Sequence, residues 1–273
     1  MVLYTQTCST LNHFGEIFMR ADRLDTMEQY IIEKENVSLE TLAKEFNVSL
    51  NTIRRDIAEL LRRGNIRKVY GGVSSNLLNH PLGFSVREQK NSKAKQIIGE
   101  LAASLVEDDS SIFVDSGSTT PNLLRHLGNK QHVTVVTHSL TAMYEASLLP
   151  NLDIIALGGA YGHEASSFTG ISTLEPLSHL SIQTIFMAAT GVTLEHGLTH
   201  NSYLETEIKR SAVQRGNRVV LMADQSKFGR TAVINFLPFE DLYAVVTDRM
   251  PPANYVSFMK EHGIRLICPG HES

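Results

Sequence analysis

Six consecutive residues, Asp115-Ser116-Gly117-Ser118-Thr119-Thr120, join small side chains to hydroxyl donors. They lie between an apolar run ending at Val114 and a helical pattern carrying Leu123, Leu124 and Leu127. Such a segment can cradle an anion, because small residues let the backbone approach, hydroxyls donate, and a following helix N-terminus adds N–H groups of partial positive charge. The same residues would also serve as a capped turn with no ligand. Farther along stand Gly158-Gly159, Ala189-Thr190-Gly191, the pair Glu205 and Lys209 with Glu207 between them, and Asp224-Gln225-Ser226-Lys227-Phe228-Gly229. Glu205 and Lys209 are four apart on a predicted helix, so at the least they form a surface ion pair worth a few tenths of a kcal/mol. Lys227 alone could be a solvated loop lysine. As one site, the hydroxyl loop and Lys227 would hold a phosphate, while Glu205 and Lys209 would address the hydroxyl end of a sugar or sugar acid.

A second chemistry is written in charge. Between Asp22 and Asn47 the basic residues Arg23, Lys34 and Lys44 face seven acidic ones, for a net −4. Between Ser49 and Tyr70 the sign reverses to a net +4, from Arg54, Arg55, Arg62, Arg63, Arg67 and Lys68 against Asp56 and Glu59. One short segment is thus attractive to polyanions in a chain whose total is −4. Ser49, Asn51, Thr52, Arg54 and Arg55 crowd the first turns of a predicted helix, where short hydroxyls, an amide and guanidinium groups can reach base edges and phosphates in a major groove. Arg67, Lys68 and Tyr70 follow on a short β-branched stretch closed by Gly71-Gly72, which reads as a basic wing. An arginine-rich amphipathic helix could equally be a solvated face.

The elements that must position these residues follow from periodicity. Leu24, Met27, Tyr30 and Ile31 predict a first helix over roughly Arg23 to Glu35. Ser38 opens a second through Leu39, Leu42, Ala43 and Phe46, and Ser49 opens a third through Ile53, Ile57, Leu60 and Leu61 to a stop at Gly64. Two short helices joined by a tight turn form a helix-turn-helix. Pro81 and Gly83 interrupt the polar stretch that follows, which is expected to be a linker. After a helix through Ile97, Ile98, Leu101, Ala102 and Leu105, apolar runs at Ile112 to Val114, Val133 to Val136, Ile154 to Leu157, Ile185 to Met187, Val219 to Ala223 and Ala244 to Val246 alternate with helical patterns. That predicts a mainly parallel sheet covered on both faces, a Rossmann-like α/β domain. The expected organisation is an extension at 1–18 with Met19 as the natural start, a winged helix-turn-helix at 19–75, a linker at 76–90 and an effector-sensing domain at 91–273.

Composition narrows the class. With 273 residues, 42% hydrophobic and 20% charged, the chain suits one small module and one of ordinary size. No segment approaches the roughly 18 apolar residues needed to cross a bilayer. Its two cysteines, Cys8 and Cys268, have no metal or redox spacing, so a reducing cytoplasm is expected, with no membrane partner and no metal.

The stretch Val37-Ser38-Leu39-Glu40-Thr41-Leu42-Ala43, with Phe46-Asn47-Val48-Ser49, Thr52-Ile53-Arg54-Arg55-Asp56-Ile57, Leu60, Gly64 and Tyr70-Gly71-Gly72, resembles the N-terminal signature of the DeoR family of bacterial sugar-metabolism regulators. The family often has a histidine where this chain has Tyr70. The hydroxyl loop, Glu205 with Lys209, and Ser226-Lys227-Phe228-Gly229 resemble its effector domain, with Ser118 in place of the commoner threonine, so the likeness runs from about Asp22 to Asp248. The resemblance implies double-stranded operator DNA as partner, a phosphorylated sugar or sugar-acid effector, a homo-oligomer (dimer or tetramer) and no cofactor. Phe186 to Gly191, Thr193 to Thr199, Asn47 to Thr52 and Lys68 to Val73 further resemble the branch of the family that controls inositol catabolism. That effector domain is similar in fold to ribose-5-phosphate isomerase, which makes a sugar-phosphate isomerase with a basic appendage the alternative. The isomerase carries a pair of aspartates in the segment that appears here as Ala189-Thr190-Gly191-Val192, where both acids are missing. A repressor without catalytic residues is therefore expected, its effector contacts being Asp115, Ser116, Gly117, Ser118, Thr119, Thr120, Gly159, Gly191, Glu205, Glu207, Lys209 and Lys227.

Overall fold

The computed structural model describes residues 23–28, 30–31, 34, 36–69, 71–75 and 83–272, and the chain divides into two compact units, Met1–Leu82 and Gly83–Ser273. The expected extension, Met19, Tyr70 and residues 76–82 of the expected linker lie outside the described residues.

In the first unit, α1 comprises the helical residues 23–28, 30–31 and 34. Strand β1 (Asn36–Ser38) leads directly into α2 (Leu39–Glu45), and α3 (Leu50–Arg63) follows the turn at Asn47. The Ser38 and Ser49 side chains accept from the backbone N–H of Thr41 and Thr52, filling the predicted cap roles. Helix α3 stops at Gly64, whose φ of 85° is cheap only for glycine. Strands β2 (Ile66–Val69) and β3 (Gly72–Ser75) form the wing hairpin, and β1 pairs antiparallel with β3 on its other side. Leu24, Met27, Ile31, Leu42, Ile53, Ile57, Leu60 and Ile66 bury one core between helices and hairpin.

The second unit begins with α4 (Phe84–Gln89) and α5 (Ser92–Ala103). Helix α4 lies in the stretch expected to be linker; Phe84, buried, gives it a core anchor, and Pro81 and Gly83 precede it rather than interrupt it. Strand β4 (Ser111–Val114) is followed by a 3₁₀ helix (Thr120–His126), then β5 (Val133–Thr137), α6 (Leu140–Ser147) and β6 (Leu152–Ala156). A small hairpin, β7 (Ala160–Gly162) and β8 (Ser167–Thr169), precedes α7 (Ile171–Leu177) and β9 (Ile182–Met187). Strands β10 (Gly191–Thr193) and β11 (Gly197–His200) lead to α8 (Tyr203–Arg215) and β12 (Gly216–Met222). The chain closes with β13 (Ile234–Leu237), β14 (Ala244–Val246), α9 (Ala253–His262), β15 (Arg265–Cys268) and β16 (His271–Glu272).

The main sheet has the order β16-β15-β14-β12-β9-β4-β5-β6, parallel except for the terminal β16. Alternate side chains feed two cores: Ile112, Val114, Val220 and Met222 pack with α5, the 3₁₀ helix and α6, while Phe113, Val219 and Leu221 pack with α7, α8 and α9. Strand order reverses beside β4, since β5 and β6 extend one way and β9, β12, β14 and β15 the other. In open α/β sheets that switch point opens a crevice at the carboxyl ends of the strands. Asp115 follows β4 and Ala188 follows β9, so the topology places the hydroxyl loop at that crevice.

Candidate functional site

On α3, Ser49, Asn51, Arg54 and Arg55 are exposed and Thr52 is half-buried; Arg67 and Lys68 are exposed on the wing. The Ser49 and Thr52 hydroxyls lie 3.0 Å apart, and Arg54 Nη1 donates to Asn51 Oδ1 at 3.4 Å, so these groups hold one another in one polar cluster at the start of the helix. Part of the basic excess is paired with acidic neighbours. Arg63 is paired with Asp25 at 2.6 Å and Glu28 at 3.0 Å, and Arg62 with Glu59 at 2.8 Å. Buried Asp56 accepts from Arg23 Nε at 3.0 Å, tying the recognition helix to α1. Arg62 and Arg63 are thus engaged in surface ion pairs, whereas Arg54, Arg55, Arg67 and Lys68 are exposed.

The hydroxyl loop divides its donors. Thr120 Oγ1 donates to the Asp115 and Gly117 carbonyls, and Ser116 donates to Glu205, so both hydroxyls are internal ties. Ser118 Oγ instead accepts from Lys95 Nζ at 3.0 Å, which leaves its own proton to donate. Gly117 is required by contact: a Cβ there would fall 2.2 Å from Ala188 Cβ. The expected α-helical N-terminus is absent, since the segment winds as seven residues of 3₁₀ helix with Pro121 in its first turn. What replaces it is cationic. Lys95, on α5 and 4% exposed, has its ammonium pushed down to about 8 by burial, with Lys227 and Arg87 adding to the shift against Asp224. Lys227 is lowered by burial and then by Arg230, Arg87 and Lys90, again against Asp224. Asp224 Oδ1 is occupied by the Ser226 amide and hydroxyl and by Asn91 Nδ2. A cavity of about 230 Å³ opens at Ser118 with Glu88, Gln89, Ser92 and Arg125 among its walls, and one of about 410 Å³ opens at Asp224, Gln225 and Ser226.

Below the loop lies a charged network that sequence reasoning placed differently. Glu205 and Lys209 are buried, and they meet other partners rather than each other. Lys209 Nζ donates to Asp115 Oδ2 at 2.5 Å and to the Ala188 carbonyl at 3.1 Å, and lies 5.3 Å from the centre of the Phe236 ring. Glu205 accepts from Ser116, from Ser167 Oγ at 2.5 Å and from His138 Nε2 at 3.4 Å. Burial pulls both carboxyls up, but Lys209 holds Asp115 below its ordinary value, and His138, Ser116 and Ser167 hold Glu205 below its own. His200, at the end of β11, is pushed down to about 4 by burial and by Lys209. Asp115 Oδ1 and His138 Nδ1 are buried without a hydrogen-bond partner among the described residues. Ligand atoms of Asp115, His138 and Glu205 lie within 4.8 Å of one another, close enough for a cation, but the Lys209 ammonium already supplies the positive charge there.

Three expected contacts stand apart. Glu207 pairs with Arg210 at 3.0 Å on an accessible part of α8. Gly159 and Gly191 serve packing: a Cβ at Gly159 would meet Thr169 O and Thr173 Oγ1 at 2.5 Å, and one at Gly191 would meet Arg230 O at 2.3 Å. Conversely, Arg87, Lys95, His138 and Ser167 join the network unannounced. Lys95 stands in the helix preceding the first strand, between Ala94 and Gln96, and nothing local distinguishes it from a solvated lysine.

Comparison with known proteins finds matches for both units. Residues 23–77 match the DeoR-like helix-turn-helix domain and residues 90–249 the DeoR C terminal sensor domain. The chain is 39% identical over 248 residues to the HTH-type transcriptional regulator IolR of Bacillus subtilis (strain 168), spanning 91% of this chain and 99% of that one. It is 30% identical over 236 residues to the Glycerol-3-phosphate regulon repressor of Escherichia coli (strain K12), spanning 85% and 92%. Among solved structures, ribose 5-phosphate isomerase A of Methanocaldococcus jannaschii aligns with 51% of this chain and 55% of its own at 20% identity, with a TM-score of 0.38.

Proposed function

The chain belongs to the DeoR family of DNA-binding transcriptional regulators, and on that premise we propose that it represses a carbohydrate catabolic operon and is released by a phosphorylated sugar or sugar acid. One observation carries the effector reading. Lys95, bonded to Ser118 Oγ at 3.0 Å, feels the charges of Lys227 and Arg87, each of the three cations is depressed by burial, and a dianion would relieve both their repulsion and their desolvation. Asp115 Oδ1 and His138 Nδ1 supply the discriminating end, since a hydroxyl pattern that fails to reach them leaves them unpaired. The segments shared with the inositol-catabolism branch favour a phosphorylated inositol breakdown product. Operator DNA contacts Ser49, Asn51, Thr52, Arg54, Arg55, Arg67, Lys68 and Tyr70, and a homo-oligomer in the cytoplasm reads two half-sites. The isomerase alternative lacks its two acids at Ala189 to Val192, so no turnover of ribose 5-phosphate is expected.

Calorimetry with a panel of sugar phosphates and their dephosphorylated counterparts tests this reading. The phosphorylated form should bind, and Lys227→Ala or the double change Ser118→Ala, Thr119→Ala should weaken it while operator binding persists. Equal affinity for the unphosphorylated sugar would reject it.

A further inference from the structure

The two ends of the main sheet are finished differently. At one end β15 is covered by β16, which folds back antiparallel against it. At the other, β6 is paired with β5, and no strand covers its outer side among the described residues. An open edge presents a row of unpaired N–H and C=O groups, which proteins blunt with lysine, proline or a bulge. Strand β6 has none of these. Its register with β5 is unbroken, its sequence is Leu-Asp-Ile-Ile-Ala, and no lysine or arginine stands between Lys130 and Lys209. Ile154 and Ile155 point to opposite faces of the sheet and are 37% and 38% exposed, although an apolar strand of a parallel sheet is ordinarily covered on both faces.

The helix beside this edge has the same character. Helix α6 joins β5 to β6 and buries Ala142 and Ala146 against the sheet. Its inner flank is marked by Glu145, which pairs with Arg125 of the 3₁₀ helix. Helical spacing puts Leu140, Met143, Tyr144 and Ser147 on the flank away from that pair; none is charged, and Leu140 and Tyr144 are exposed. Aromatic and methionine side chains without charge are what interface cores are enriched in.

We propose that the β6 edge is the self-association surface of the sensor: two copies pair β6 antiparallel about a two-fold axis normal to the sheet, with their α6 helices side by side over the seam. This names the interface of the homo-oligomer proposed above and rests on that reading. A two-fold interface must be self-complementary, and charge decides which registers qualify. Residues directly opposite in an antiparallel pair share a face, so such an axis passes through a residue. Through Asp153 it would set two carboxylates against each other. Through Ile154 it sets Asp153 against Ile155 of the second copy, and through Ile155 it sets Asp153 against Leu157, so both isoleucine registers avoid the clash. A helix centred over the two strands that it joins then stands about 10 Å from its copy, the separation at which helices pack. A second copy thus supplies both what the strand lacks and what the helix flank lacks.

The test joins mass to cross-linking in the full chain. By sedimentation the natural chain should be at least a dimer at micromolar concentration, and Ile155→Lys should weaken that association about tenfold or more, by placing a charge in the apolar seam. Cys8→Ser provides a background in which the remaining natural cysteine, Cys268, is buried. There, Ile154→Cys or Ile155→Cys should form a disulfide-linked dimer under mild oxidation, because the residue on the axis lies about 4.5–5.5 Å, Cα to Cα, from its copy. Glu261→Cys, exposed on α9, should remain unlinked. Should Ile155→Lys prove unfolded, the cysteine variants decide alone. A natural chain that stays monomeric overturns the interface and the oligomer reading together. Association that Ile155→Lys leaves unchanged, with neither cysteine linking, rejects the interface and keeps the oligomer; the edge then belongs to another strand, from residues 1–22 or from a different protein.

Discussion

Lys209 and Lys95 are both buried, and their different partners give them different work. At position 209 the ammonium faces the Asp115 carboxylate at 2.5 Å and carries 1% of its surface exposed. Removing one member of such a pair leaves a buried charge uncompensated, so Lys209→Met should cost about 3–5 kcal/mol in urea unfolding, with much of the loss recovered by adding Asp115→Asn. A cost below about 1 kcal/mol would mean that the pair is solvated. Lys95 is set among Arg87, Lys227, Asp224 and Glu88, and burial lowers it from 10.5 to about 8. Below pH 8 it is charged in both folded and unfolded chains. Between 8 and 10.5 the unfolded chain binds more protons, so this residue makes stability rise with pH over that window. Anion binding follows the opposite course, because the folded protein loses the ammonium that the anion needs. Phosphate affinity should fall by up to about tenfold per pH unit above pH 8. Calorimetric titrations at about pH 7.5, 8.5 and 9.5 giving one affinity would exclude Lys95 from the site.

At the scale of elements, the hydroxyl loop depends on how closely β4 and β9 bring their ends together. Asp115 N donates to Phe186 O, Ala188 N donates to Asp115 Oδ2 at 3.1 Å, and Gly117 fits only because it has no Cβ to meet Ala188. Gly117→Ala should therefore displace the loop, costing about 1–3 kcal/mol of stability and at least tenfold in phosphate affinity. Operator binding by the variant should remain, because the residues that read DNA belong to the other unit. Retention of full phosphate affinity by Gly117→Ala would show that the anion binds elsewhere. On the DNA-binding side, the Ser49 hydroxyl caps α3, so Ser49→Ala should loosen the recognition helix by about 1 kcal/mol, in addition to removing whatever the hydroxyl itself gives to DNA.

Across the whole molecule, the two units carry separable functions. Arg54 and Arg55 are exposed on α3 and lie outside the ion pairs that occupy Arg62 and Arg63. Replacing both by alanine should weaken operator binding and flatten its dependence on salt, by about 0.9 in slope for each phosphate no longer neutralised, while phosphate binding to the sensor stays unchanged. An unaltered salt slope would place DNA on another surface. Self-association, measured by light scattering with and without operator, should survive the same change.

The local parts of this architecture were legible along the chain. Ser38, Ser49 and Gly64 mark helix ends through bonds to residues three or four away, and the apolar runs of β4, β5, β9, β12 and β14 announce a buried parallel sheet because both faces of each strand are covered. The family signature lies in such contiguous segments, so the regulator class could be read without coordinates. Partners were another matter. The i,i+4 spacing of Glu205 and Lys209 suggested a pair, yet each points toward a different neighbour on the sheet, since the crossover that sets β9 beside β4 delivers Asp115 to Lys209, while His138 and Ser167 converge on Glu205. Helix α4 was hidden in a polar stretch because its buried Phe84 and its bonds to Glu164 and Lys95 add no periodicity to six residues. Sequence by itself determined the helices of the first unit, the apolar strands of the main sheet and the kind of protein, because those depend on neighbours along the chain; tertiary structure alone decided which buried charge meets which, because that depends on the order in which the strands return to the sheet.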